Sequence, residues 1–196
     1  DVSIIGYCMG GVLSLIYAAT HVDGPLKNLV CLTTPVNWHG MGLMTQWADR
    51  RYFDVDRLVD TLGVIPEEFV TASFEMLRPA QKTAGRLKVW EQMWNDAYVE
   101  SWRAFDRWGE EALPLAGEYF RQTTRELMWD NKLYTGELVV GRRRVDLGAI
   151  RVPVMHVTAE HDHIVSTEAS APLLEMVGSE DREGLVLKGG HVSLIA

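Results

Sequence analysis

Only two of the 196 residues are cysteines, Cys8 and Cys31. That is too few for a disulfide framework, and it suits a reducing compartment such as the cytosol. No uninterrupted apolar stretch reaches membrane-spanning length, and no secretory leader is visible. Basic residues are in deficit: 19 Lys and Arg against 27 Asp and Glu leave a net charge of −8, which argues against nucleic acid as a partner. The one basic run, Arg142-Arg143-Arg144, reads as a solvated hairpin tip rather than a phosphate site. Internal repeats and low-complexity segments are missing. His161 and His163 flank Asp162 without a supporting cluster of Cys or Glu, so a solvated His161 and a loop-shaping His163 are expected rather than metal ligands. No metal or cofactor is expected. What remains is an ordinary globular composition, 47% apolar and 23% charged, long enough for one domain with a sizeable core.

The most informative feature is Gly6-Tyr7-Cys8-Met9-Gly10-Gly11, directly after the apolar run from Val2 to Ile5. Strand, sharp turn and helix form the context of a nucleophile elbow, with cysteine in place of the serine of G-x-S-x-G. Such a turn brings the strand and helix backbones together, and the expectation is that Gly6 and Gly10 are there to avoid a Cβ clash. The backbone N–H of Met9 is placed to serve an oxyanion hole, and the start of the helix favours a thiolate at Cys8. Cys31, inside an apolar strand from Asn28 to Thr33, reads as a small packed side chain.

Two later positions complete a possible triad. Val154 to Thr158 reads as a strand that ends in Ala159-Glu160-His161-Asp162-His163. Glu183 to Leu187 reads as another strand, followed by Lys188-Gly189-Gly190-His191. The order nucleophile, acid, histidine is that of α/β-hydrolases and differs from the two protease orders. His191 would take the proton of Cys8, and Asp162 would hold the imidazole in the working tautomer. His156, alternating within its strand, is expected to be a packed, hydrogen-bonded core residue.

The fold class expected is α/β, a partial α/β-hydrolase fold with a mostly parallel sheet and a large helical cap insertion. Residues 1–37 form the first core segment, with nucleophile strand, elbow, helix and next strand. Residues 38–148 form the helical cap, and 149–196 the second core segment, carrying the acid and histidine loops. Together they make one catalytic domain. All seven Trp fall between positions 38 and 129, and an aromatic cap of this kind can line an apolar acyl channel. The chain is expected to be a fragment lacking both ends, since strands before the nucleophile and a helix after the histidine are not in it. The second oxyanion donor would lie before Asp1.

These residues resemble the catalytic region of the polyhydroxyalkanoate synthases. The resemblance rests on the elbow, on Leu32-Thr33-Thr34-Pro35-Val36, on Phe74-Glu75-Met76-Leu77-Arg78-Pro79 and on Trp94-Asn95-Asp96. It continues through Asn131-Lys132-Leu133 to Gly136, Gly141, Val145-Asp146-Leu147, Ile150-Arg151-Val152-Pro153, Asp162-His163-Ile164-Val165 and Gly189-Gly190-His191. Asn37 stands where that family often has Asp, and Val192-Ser193-Leu194 departs from its commoner continuations. The resemblance implies an acyltransferase that polymerises hydroxyacyl-coenzyme A into polyester and releases coenzyme A. By that resemblance Cys8 carries the acyl chain, His191 is the base and Asp162 its support. It also implies a homodimer, in some subclasses a second synthase subunit, and a cytoplasmic protein at the surface of polyester granules. The alternative is a cysteine hydrolase or thioesterase of the dienelactone hydrolase type, which shares the elbow and triad order but lacks so long an insertion between Cys8 and Asp162. A non-catalytic homologue on the same fold is the remaining class, and the intact triad speaks against it.

Overall fold

The computed structural model describes residues 1–195, at positions 81, 82 and 110 through the backbone alone. Residue 196, the last of the expected second core segment, lies outside the described residues. The chain divides into two compact units, residues 1–53 with 123 onwards, and Asp54–Gln122.

The larger unit is built on a four-stranded parallel sheet. Its strands are β1 (Val2–Tyr7), β2 (Leu26–Leu32), β3 (Val154–Ala159) and β4 (Arg182–Leu187), paired in that spatial order. Helix α1 (Met9–Thr20) connects β1 to β2. Its small and apolar residues allow close packing on the sheet: Val12, Leu15, Ala18 and Ala19 are buried together with Leu29 and Cys31 of β2 and Val154 of β3. Burial pushes the Cys31 thiol up to about 12, against the lowering effect of its hydrogen bond with Thr34, as suits a packed, unreactive side chain.

The expected insertion over 38–148 is divided in the structure. Trp38, Met41, Leu127, Leu133, Leu138, Val145 and Leu147 are buried in the same core cluster as α1 and β2, so 38–53 and 123–148 belong to the sheet-bearing unit. High aromatic content and helical period do not distinguish a helix that packs under a sheet from one in a separate unit, and the boundaries move accordingly. The Arg run also does more than decorate a tip. Gly141 and Arg142 make the turn, both with positive φ. Arg143 donates to the carbonyl of Thr20 at the end of α1, and Arg144 donates to that of Gly136.

The smaller unit contains the helices Val55–Leu62, Glu67–Leu77, Pro79–Glu91, Asp96–Glu110 and Gly117–Gln122, with a two-residue antiparallel pair, Val64–Ile65 against Leu115–Ala116. Asp54 and Asn95 cap two of these helices through the backbone N–H groups of Arg57 and Tyr98. Arg121 joins the first helix of the unit to the last by ion pairs of 2.6 Å to Asp56 and Asp60. No helix among the described residues is long and apolar enough to cross a membrane.

His156 differs from its expected state. It is buried, but its Nε2 has no hydrogen-bond partner among the described residues, and burial alone lowers its pKa to about 4. A histidine depressed in the folded state stabilises above its ordinary value near 6.5, and that contribution is lost as pH falls through 4. Between pH 7 and 5 the loss amounts to about 2 kcal/mol. We expect His156→Leu to remove this acid-side loss, measured as the difference in urea unfolding free energy between the two pH values. An unchanged pH slope in the variant would show that His156 is not buried neutral.

Candidate active site

The elbow forms because β1 runs straight into α1. Cys8 occupies the junction with φ 52° and ψ −116°, a conformation that a side chain bearing Cβ adopts only under strain. Its backbone N–H bonds to the Leu32 carbonyl of β2, and its own carbonyl accepts from Gly11 and Val12. The Cys8 side chain does not cap the helix, which leaves the sulfur available for chemistry. Met9 holds the first helical position, where an N–H has no intrahelical acceptor.

Close approach occurs at Gly6 and Gly11, and this corrects the expectation for Gly10. A Cβ on Gly6 would lie 2.6 Å from the Gly11 Cα and 2.7 Å from the Gly10 carbonyl oxygen. One on Gly11 would lie 1.9 Å from Thr34 Oγ1, whereas one on Gly10 meets nothing within 4 Å. Gly6 and Gly11 face each other across the turn, and Gly10 points outward from it. The motif spacing does not reveal which glycine is the one in contact. Gly6→Ala is expected to destabilise the protein by about 1–3 kcal/mol through overpacking against backbone that cannot yield. Gly10→Ala should leave the unfolding midpoint unchanged or slightly raised. Thermal denaturation of the two variants distinguishes them, and equal losses would contradict this assignment.

The acid and the histidine lie on the loops that follow the adjacent strands β3 and β4. Two backbone bonds link these loops, Glu160 N–H to the Leu187 carbonyl and His161 N–H to that of Gly189, each at 2.9 Å. Asp162 is fully engaged. Its Oδ1 accepts from the backbone N–H groups of Ile164 and Val165 at 2.8 Å each, and its Oδ2 lies 2.7 Å from His191 Nδ1. Both side chains are nearly inaccessible, at 3% and 4% exposure. Burial alone would lower the His191 pKa. The hydrogen bonds to Asp162 and Cys8 and the charges of those two groups outweigh it, and the pKa is raised to about 9. The structure therefore pairs Asp162 and His191 through a hydrogen bond, with Cys8 near enough to help raise the same imidazole. An imidazole held this way through Nδ1 keeps Nε2 for proton transfer.

Two contributors were not legible in the motifs. Ser193 Oγ accepts from the Gly190 N–H and donates to the Gly190 carbonyl, closing the turn that presents His191. Tyr7 packs its ring against the His191 ring, with centroids 4.9 Å apart, and its hydroxyl donates to the His191 carbonyl at 3.3 Å. Neither residue carries a signal in sequence, because its partner is identified only by folding. Asn37 also acquires a partner there: its Oδ1 accepts from the side-chain amide of the buried Asn131, whose own Oδ1 accepts from the Trp38 N–H. His163 takes part in an interaction of its own. Among the described residues, no group of three or more His, Cys, Asp or Glu is arranged to hold a metal ion.

A family model described as "alpha/beta hydrolase fold" matches residues 1–195. Among curated proteins, the poly(3-hydroxyalkanoate) polymerase subunit PhaC of Allochromatium vinosum is 33% identical over 195 residues, covering 98% of this chain and 54% of the relative. The protein of the same name from Haloferax mediterranei is 29% identical, covering 99% of this chain and 40% of the relative. The chain thus spans about half the length of the curated relatives it matches. Of solved structures, a monoacylglycerol lipase from Paleococcus ferrophilus superposes with a TM-score of 0.51 at 14% identity, over 97% of this chain and 60% of its own. A hydrolase from Pseudomonas aeruginosa does so with 0.52 at 15% identity, over 100% and 59%. At these identities the structural likeness concerns the fold.

Proposed function

We propose a reaction from one premise: this chain belongs to the alpha/beta hydrolase fold family. Its similarity to poly(3-hydroxyalkanoate) polymerases over nearly all of its length supports a polyester polymerase. The finer reading is an acyltransferase that joins hydroxyacyl-coenzyme A units into polyester through an acyl-Cys8 intermediate. The observation that carries it is the His191–Asp162 pair hydrogen-bonded beside a cysteine at a strand-to-helix elbow.

The cycle balances with these residues alone. The Cys8 thiolate attacks the thioester carbonyl, and the oxyanion is met by the Met9 N–H. Coenzyme A leaves as a thiol with the proton of the His191 imidazolium, and the acyl group stays on Cys8. A thioester has replaced a thioester, so the acyl group stays activated, whereas an oxygen ester would lose that activation. Acylation also removes the Cys8 charge and hydrogen bond that help to raise His191. The imidazole, neutral once its proton has left with coenzyme A, is then the base for the hydroxyl proton of an incoming hydroxyacyl group. That oxygen attacks acyl-Cys8, an ester bond forms and the thiolate is restored. Asp162 keeps the imidazole oriented throughout.

The partners on this reading are hydroxyacyl-coenzyme A and the growing chain, with no nucleic acid and no cofactor. A cytoplasmic protein at the polyester granule surface, assembling as a homodimer, completes it. The word "subunit" in the names of the relatives supports a second polypeptide in the assembly.

The test is to give the full-length protein 3-hydroxybutyryl-coenzyme A and follow thiol release, with polyester and free hydroxy acid weighed in the same tube. Thiol release with polymer is the expected result. Thiol release with free acid alone would move the protein to the cysteine hydrolase alternative. No release, even with a partner subunit supplied, would refute thioester chemistry on this substrate.

A further inference from the structure

The residue that precedes the nucleophile reaches across the whole chain to the residue proposed as base. Tyr7 ends β1, and the turn into Cys8 follows at once. Its hydroxyl meets the main-chain carbonyl of His191, 184 positions away in sequence, and its ring lies against the imidazole at a tilt of 48°. One short backbone segment therefore carries the nucleophile and grips the residue that must meet it.

The need for such a grip is visible in the histidine loop. Among the described residues β4 lies at the end of the sheet beside β3, and all six of its residues are exposed. The turn between β4 and His191 contains Gly189, at φ 151°, and Gly190, and two glycines hold little conformation by themselves. Three attachments restrain it: the His161 N–H on the Gly189 carbonyl, the Ser193 closure of Gly190 and the Asp162 carboxylate on the imidazole. All three come from the acid loop or the histidine loop itself. Tyr7 adds an attachment from a different element, the end of β1, whose next residue is Cys8.

We propose that Tyr7 is a positioning residue, which sets the distance between the His191 imidazole and Cys8 by holding the His191 carbonyl and one face of its ring. This rests on the reading of Cys8 and His191 as nucleophile and base. The phenol stays a donor at working pH: burial first, then the charges of Cys8 and Asp162, hold it well above its ordinary pKa. Phenylalanine would keep the ring contact and lose the hydroxyl anchor.

The experiment is a double-mutant cycle read by alkylation of Cys8 with iodoacetamide, in full-length protein at one fixed pH. This readout does not depend on the identity of the substrate. Tyr7→Phe is nearly isosteric and is expected to slow alkylation by about threefold to tenfold, the value of one intramolecular hydrogen bond. In a His191→Ala background the same substitution should change the rate by less than about twofold, because there is no imidazole left to position. With substrate, the parent-to-variant ratio should appear in kcat, with KM little changed. An unaltered alkylation rate in Tyr7→Phe overturns the proposal. So does an equal slowing in both backgrounds, which would mark Tyr7 as merely structural. A parent protein whose Cys8 resists alkylation while other thiols react overturns the nucleophile reading, and this proposal with it.

Discussion

Cys8→Ala is expected to abolish thioester turnover, and Cys8→Ser to lower it by a factor on the order of 10³ or more. The alanine variant has no group on which an acyl chain can be carried. It should nonetheless fold, because Cys8 is only partly buried and its side chain makes no helix cap. The serine variant keeps the shape of the elbow but changes two free energies. A hydroxyl is far harder to deprotonate than a thiol, so less nucleophile forms at neutral pH. Any acyl-Ser formed would be an oxygen ester, a poorer donor to the next hydroxyl. The measurement is thiol release from 3-hydroxybutyryl-coenzyme A, with intact-protein mass for the acylated species. Acylation of the parent and none of Cys8→Ala would identify the carrier. Turnover near that of the parent in Cys8→Ser would refute a covalent thioester mechanism.

Asp162→Asn should have the second-largest effect, a loss on the order of 10³ to 10⁴ in kcat with the fold retained. The geometry gives the reason. Oδ1 accepts two backbone N–H groups while Oδ2 faces His191 Nδ1. An amide that keeps its oxygen on Ile164 and Val165 presents an NH₂ to Nδ1. That fixes the imidazole proton on Nε2, the wrong tautomer for accepting one from Cys8. An amide turned the other way sets NH₂ against two N–H donors and loses both bonds. The first orientation gives the wrong tautomer, and the second keeps the bond to Nδ1 only without the carboxylate charge and at the expense of both backbone bonds.

A pH signature accompanies the loss. His191 is raised from 6.5 to about 9 in the folded protein, with burial opposing and the hydrogen bonds to Asp162 and Cys8 prevailing. A group raised on folding stabilises fully below its unfolded value, and that stability is lost as pH rises through the folded value. The parent should therefore lose stability between about pH 6.5 and 9. Asp162→Asn should lose much less over that window, because its histidine is no longer held above the ordinary value. Urea unfolding at the two ends of the window measures the difference. A parent whose stability does not change there would mean that the pair is not charged in the folded state.

The parallel α/β core was legible because its signals are local. Val2–Ile5, the glycines around Cys8 and the strands ahead of Asp162 and His191 state their own secondary structure and their order along the chain. The order of nucleophile, acid and histidine then places all three at strand ends, since a parallel sheet puts successive strand ends on one side. The extent of the helical unit was less legible. Helical period marks 38–148 as one helical segment, but the burial of Leu127, Leu133 and Leu138 with α1 depends on packing between segments far apart in sequence.

Amino-acid sequence alone determined which residues could do the chemistry, since thiol, carboxylate and imidazole at strand ends are matters of residue type and local turn propensity. Tertiary structure alone decided how they meet. It selected Gly11 rather than Gly10 as the second contact glycine, left the buried His156 Nε2 without a partner among the described residues, raised His191 by setting it beside Asp162 and Cys8, and brought Tyr7 against a carbonyl at the other end of the chain. Each of these depends on a distance between groups remote in sequence. Clashes, desolvation and hydrogen bonds vary steeply with such distances, and residue order does not encode them locally.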